Sequence, residues 1–177
     1  PMAVNVDGVG YLAKPSSEKT NLALTAKATG SSAMAEKKVT AVIAPNPNVL
    51  KNFKVNLENG TEVARWFNYD AANAIDGMNG TCWRALPDDK SPTFTVDMIK
   101  TATIDAVEMA FTAPTYGHAW VLEKSKNGKK WTVCARQDLP KIYSPHTVNG
   151  IGKARYLRLT ILKGEPGLWE FKVFGKQ

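Results

Sequence analysis

An all-β fold, an antiparallel β-sandwich, is what this sequence predicts, and three observations carry the prediction. Short runs rich in β-branched and aromatic residues recur with turn signals at roughly ten-residue spacing. Asn59-Gly60 and Asn127-Gly128 each stand between two such runs, the strongest short hairpin signal a sequence offers. No long amphipathic helix and no internal repeat is present. The 177 residues are enough for one domain with a substantial core.

Residues 1–20 have little periodicity and contain Gly8, Gly10 and Pro15, so they read as a linker or the tail of a preceding domain. The chain starts at Pro1 without a signal peptide and is read as a piece of a longer protein. The β-domain is expected over 21–177. From Asn21, alternation at Leu22, Leu24, Ala26 and Ala28 predicts a half-buried strand. An inserted loop and hairpin is expected over 33–68. There Phe53, Val55 and Leu57 alternate, Asn59-Gly60 turns, and Thr61 to Phe67 runs back. Asp70 is placed to cap a short helical turn through Ala74. Phe94 and Val96 open a core strand, and Ile104 to Phe111 form another. His118–Lys124 and Trp131–Arg136 make a hairpin around Asn127-Gly128, and Gln137 to Gly152 read as a long loop. Ala154–Leu162 and Leu168–Phe174 are the last strands. Trp83, Trp120, Trp131 and Trp169 fall in strand patterns and are expected in the core, because large aromatics dominate cores.

The formal net charge is +7, which raises the question of an anionic partner. Lys and Arg are spread along the chain, with no run longer than Lys37-Lys38 or Lys129-Lys130, and no nucleic-acid motif occurs. A solvated, mildly basic surface is therefore expected, with no nucleic-acid partner. A membrane partner is not the favoured reading, because no apolar run approaches membrane-spanning length. The two cysteines, Cys82 and Cys134, lack zinc spacing and are read as buried free thiols, a cross-strand bridge being the alternative. Catalytic equipment is poor. The two histidines, His118 and His146, lie in unrelated segments. No metalloprotease, nucleophile-elbow or phosphate-loop motif occurs. Asp88-Asp89, Glu108, Glu123 and Glu165 are carboxylates that nothing pairs across a cleft, as a glycosidase would need.

Ala74-Ile75-Asp76-Gly77-Met78-Asn79-Gly80-Thr81-Cys82-Trp83 is the most informative stretch. Gly77 and Gly80 let the loop curl and turn carbonyls inward. Asp76 adds a carboxylate and Thr81 a hydroxyl, and hard oxygens on a small loop suit Ca²⁺. An ordinary Asp-Gly turn before a strand fits the same ten residues. Trp83 would start that strand and plug into the core.

This stretch resembles the A-x-D-G-x-x-x-T-x-W signature of the discoidin, or coagulation factor 5/8 type C, superfamily. Further segments resemble the family in order. They are Thr95-Val96-Asp97 with Met98 where Leu is usual, Ile104 to Glu108, and Ser125-Lys126-Asn127-Gly128-Lys129-Lys130-Trp131. Ala154-Arg155-Tyr156-Leu157-Arg158-Leu159 and Trp169-Glu170-Phe171-Lys172-Val173-Phe174-Gly175 complete the series. Bacterial carbohydrate-binding module family 32 and its relatives are the most similar class.

The resemblance implies a jelly roll, galactose-binding-domain-like, without catalytic residues. It also implies a structural Ca²⁺ held by Asp76, a carbonyl near Asn79, Thr81 and Glu170. The implied role is an ancillary module of a secreted or surface bacterial glycoside hydrolase. It would lie outside the cell, on its surface or in the periplasm, with a terminal sugar and the parent chain's catalytic domain as partners. Sugar contacts would come from loops at one end: Trp66, Phe67, Tyr69, Arg84, Tyr116, His118 and His146, with Tyr116 the first choice for stacking. The family's galactose binders carry Arg and Asn in the loop where this chain has Ala113-Pro114-Thr115-Tyr116, so galactose is not carried over. Two alternatives stand beside sugar binding. One is a structural domain packed on a catalytic neighbour. The other is a protein- or anionic-lipid-binding domain with Trp66-Phe67 as an exposed apolar tip.

Overall fold

The computed structural model describes residues 20–43 and 61–177. Nine strands are described: β1 (Lys27–Gly30), β2 (Lys37–Ile43), β3 (Thr61–Phe67), β4 (Trp83–Arg84), β5 (Thr93–Phe111), β6 (His118–Ser125), β7 (Thr132–Lys141), β8 (His146–Lys163) and β9 (Gly167–Lys176). Every pairing is antiparallel.

Two long strands build the sandwich. β5 breaks its register between Asp97 and Ala102, where Ile99 has φ 65° and its N–H donates to Asp97 Oδ1 at 2.8 Å. Asparagine and aspartate neighbours often support such local turns, so the bend is held by a side-chain bond rather than by glycine. Before the bend, β5 pairs with β1 and with the second half of β8. After it, β5 pairs with β9 and the first half of β8. One layer is thus β1–β5–β8–β6–β7 and the other β4–β9–β5–β8, with both long strands shared. The core lies between, where Phe94, Val96, Met109, Trp120, Leu122, Leu157, Leu159 and Phe171 meet. Trp83, fully buried, tilts against Phe94 at 5.2 Å, and Phe94 against Phe171 at 5.5 Å, centroid to centroid.

Several expectations change. Leu22–Thr25 is a 3₁₀ turn, not a strand, because Asn21 Oδ1 accepts from Ala23 N at 3.1 Å and also from Val173 N at 3.0 Å. That cap nucleates a turn and pins it to β9, and Leu24 is left exposed. Thr61–Phe67 pairs with Lys37–Ile43, a β-branched run that suits a strand. Phe53 to Leu57, the Asn59-Gly60 turn and most of 1–20 lie outside the described residues. Trp66 and Phe67 sit within the β2–β3 pair, opposite Lys38 and Lys37, and are not a loop tip. The long loop expected over Gln137–Gly152 is short, because β7 runs to Lys141 and β8 begins at His146. Pro140 is tolerated in β7 because that strand is at the sheet edge. Trp131 and Trp169 are half-buried rather than core. Arg158 lies over the Trp131 ring at 4.1 Å. Cys82, just before β4, and Cys134, in β7, are both free thiols, and burial pushes both pKa values up.

Candidate functional site

The chain's chemistry gathers at two places. The first is the Asp76 loop. A 3₁₀ turn over Ala71–Ile75 delivers Asp76, and Asp70 stands at its N-cap without a side-chain bond. Gly77 takes φ 74°, a conformation glycine adopts without strain. Asp76 Oδ1 accepts from Met78 N at 2.8 Å and Oδ2 from Thr81 Oγ1 at 2.7 Å. Asn79 lies on the exposed arc. Glu170, on β9, is buried, and neither of its carboxylate oxygens has a hydrogen-bond partner. Burial pushes its pKa up to about 7, and the nearby Asp76 carboxylate adds to the rise. Lys172 and the Gly77 and Met78 amides oppose it, though neither amide reaches hydrogen-bond geometry. Asp76 thus accepts from Thr81 and lies near Glu170, two residues that the family resemblance groups with it. Among the described residues no three His, Cys, Asp or Glu side chains converge. A cation here would rest on two carboxylates, a hydroxyl and carbonyls. That donor set suits a hard ion.

The β4 strand links this loop to the second place. Trp83 Nε1 donates to Ser32 O at 2.9 Å, and Arg84 pairs with Gly167 of β9. Asp89, weighed in the sequence only as a catalytic carboxylate, closes the neighbouring loop by accepting from Ser31 Oγ and Ser32 Oγ, each at 2.5 Å. Those hydrogen bonds hold its carboxyl below the usual range.

The second place is the end of the sandwich where Arg84, the 113–117 turn, the β7–β8 connection and the β8–β9 loop meet. Arg84 forms an ion pair with Glu165, and its guanidinium lies 5.9 Å from the Tyr69 ring centroid. The β8–β9 loop presses on the start of β6. Gly164 has φ 97°, and a Cβ there would lie 2.5 Å from His118 Cδ2 and 2.7 Å from Gly117 O. His118 Nε2 is 3.0 Å from Glu165 O, and a carbonyl only accepts, so that nitrogen carries the proton. Its ring stacks on Phe111 at 4.0 Å. His146 stands edge-on to Phe111, Trp120 and Tyr143. Trp120 Nε1 donates to His146 Nδ1 at 3.1 Å, which puts the His146 proton on Nε2. Burial drives both histidine pKa values down to about 4, with His118 adding to the fall at His146. Both rings are buried and neutral at pH 7, and they brace the end from within rather than presenting a face to solvent.

Outside this brace stand aromatic and apolar groups. Tyr116 is 80% exposed in the 3₁₀ turn Pro114–Tyr116, and a Cβ on the following Gly117 would lie 3.3 Å from Pro140 Cβ. Tyr143 is 50% exposed, with Lys141 Nζ 6.0 Å from its centroid. Ile142 and Leu139 are exposed beside it. The fold thus brings Tyr69, Arg84, Tyr116, His118 and His146 to one end. Phe67 is half-buried two residues before Tyr69. Tyr143 and Lys141 were missed because they lay inside a stretch read as one long loop, and Glu165 was weighed only as a catalytic carboxylate. The Ile142-Tyr143 pair among polar and proline residues was the available signal.

A family model, the F5/8 type C domain, matches residues 57–171. No curated protein sequence matches the chain. Among solved structures, a glycoside hydrolase is 30% identical at a TM-score of 0.71, over 97% of this chain and 38% of that one. The chain spans well under half of that hydrolase. Chitosan-binding module 1 of a chitosanase/glucanase from Paenibacillus sp. IK-5 is 20% identical at a TM-score of 0.62, over 88% of this chain and 99% of the module. A Clostridium perfringens family 32 carbohydrate-binding module, solved with GalNAc-β-1,3-galactose, is 18% identical at a TM-score of 0.62, over 88% of this chain and all of the module. The last two likenesses speak for the fold. With the match over residues 57–171 and the sandwich seen here, the chain belongs to the F5/8 type C, or discoidin, domain family.

Proposed function

We propose that this domain is a non-catalytic carbohydrate-binding module that holds a terminal sugar at the Tyr116 end of the sandwich. The observation that carries the reading is Tyr116, an aromatic ring left 80% exposed on a turn whose neighbours are packed and hydrogen-bonded. A sugar's apolar face stacks on such a ring. Its hydroxyls need paired donors and acceptors, which the partly exposed Arg84–Glu165 pair and Lys141 supply. The site is shallow and wet, so modest affinity is expected. The glycoside-hydrolase and carbohydrate-module likenesses support the same reading. The proposal extends to a place beside a catalytic domain in a secreted or surface enzyme.

The reading includes a structural Ca²⁺ at the Asp76 loop. Its support is the Glu170 carboxylate, buried without a partner beside Asp76 and close to Thr81's ligand loop. Asp76, Thr81, Glu170 and a carbonyl near Asn79 would hold the ion. When bound, it would supply positive charge that compensates two neighbouring carboxylates and ties the loop to β9.

A glycan array followed by affinity gel electrophoresis, with calcium present, tests sugar binding. A terminal-sugar hit that Tyr116→Ala weakens about ten-fold or more, with melting unchanged, is the expected result. A blank across plant, host and microbial glycans would favour the structural alternative, a domain that packs on its catalytic neighbour.

A further inference from the structure

The fold gathers at one pole lysines that the sequence scatters. The pole lies opposite Tyr116, where the β5 bend, the β6–β7 turn, the middle of β8 and the end of β9 meet. Lys153 of β8 and Lys176 of β9 flank the same residue, Thr103 of β5. Lys100 stands in the β5 bend, and Gln177 Nε2 donates to Met98 O at 2.8 Å, fixing the end of β9 beside it. Lys126, Lys129 and Lys130 crown the β6–β7 turn. Asn127 Oδ1 shapes that turn by accepting from Lys129 N and Lys130 N at 2.9 and 3.0 Å. The turn is seated against β8, since a Cβ at Gly128 would lie 3.5 Å from the Tyr156 ring.

All six lysines are exposed, and none forms an ion pair among the described residues. The nearby acids are largely spoken for. Asp97 takes two bonds from Arg155 at 2.8 Å, and Glu123 takes one from Arg158 at 2.8 Å. Asp105 is the exposed carboxylate that remains. Six like charges held on converging strands create a field that attracts a polyanion.

Which polyanion follows from the rings. Tyr156 is covered by the Gly128 turn and by Arg155 at 4.8 Å, and Trp131 by Arg158 at 4.1 Å. Neither offers the open stacking face that single-stranded nucleic acid uses. Ile99 in the bend and Val133 at the start of β7 are the large aliphatics exposed near this pole among the described residues, too little to anchor in a bilayer. Lysines without rings suit the spaced carboxylates or sulfates of an acidic polysaccharide. We infer that this lysine pole is a second glycan-facing surface, one that docks a polyanionic polysaccharide while Tyr116 holds a terminal sugar. The inference leans on the carbohydrate reading for its biological setting but not for its charge.

Affinity electrophoresis of the chain through gels containing hyaluronate, dextran sulfate or neutral dextran tests it. Retention by either polyanion and not by dextran is expected, and which polyanion retains it separates carboxylate from sulfate recognition. Retention should fade between about 20 mM and about 500 mM salt as screening shortens the field. The variant carrying Lys126→Glu, Lys129→Glu and Lys130→Glu should lose roughly ten-fold or more at low salt. The milder pair Lys100→Gln with Lys153→Gln should lose less, and both should melt like the parent and keep any terminal-sugar hit. Absence of retention at low salt, or retention untouched by both variants, overturns the proposal. Stronger binding to RNA or to anionic vesicles than to either polysaccharide also overturns it. Loss of polyanion binding with sugar binding intact would fail this inference alone. The converse would fail the terminal-sugar reading alone.

Discussion

Gly164 shows how one residue can decide the shape of a binding end. Its φ of 97° disfavours any side chain, and a Cβ would collide with His118 and the Gly117 carbonyl. Gly164→Ala should therefore cost about 2 kcal/mol or more, read as a lower urea midpoint, because strain and overlap act together. An unchanged midpoint would mean the loop has room to move. The histidines beneath it predict a pH dependence. Both are held down at about 4 against 6.5 when free, so between those values the unfolded chain binds more protons than the folded one. Stability should then be full above about pH 6.5 and fall as pH drops towards 4. Glu170 acts in the opposite sense in metal-free protein. Its pKa rises from 4.5 to about 7, so its contribution is present below 4.5 and lost as pH rises through 7. Urea titrations on a Glu170→Gln background isolate the histidines, and a flat profile from pH 6.5 to 4 would refute their neutral, buried role. Neither histidine's burial was legible in the sequence, since Phe111, Trp120 and Gln137 reach them only across strands.

At the scale of elements, the Asp76 loop, β4 and β9 were readable in advance because local chemistry defines them. Asp-Gly curls, Thr81 returns to Asp76, and Trp83 plugs the core. The loop's coupling to Glu170 makes calcium the element-level prediction. A chelator should lower Tm and added Ca²⁺ restore it. Glu170→Gln should abolish that response while leaving the chelated protein at least as stable, because it removes a buried, unpartnered carboxylate. Melting curves indifferent to both reagents would remove calcium from the account. The elements that misled were those whose identity depends on partners elsewhere. Asn21 makes a 3₁₀ cap because Val173 also bonds to it from across the chain. Gln137 to Lys141 look like loop because they carry Pro140, yet they continue β7 at an edge where a missing N–H costs little.

For the whole molecule, β5 and β8 bend through both layers and so hold the two poles apart. One pole is aromatic with a covered histidine brace, and the other is lysine-rich. Strand periodicity made the sandwich legible, but charge segregation was not, because it arises from the bend at Ile99 and the common flanking of Thr103 by Lys153 and Lys176. The central claim is that a sugar sits at the Tyr116 pole. Its most direct test is amide chemical-shift mapping of the calcium-loaded domain against the best glycan-array sugar. The account predicts shifts confined to Tyr69, Arg84, Tyr116, Lys141–Tyr143 and Glu165, vanishing in Tyr116→Ala. Shifts gathered elsewhere, or unchanged by that substitution, would contradict it.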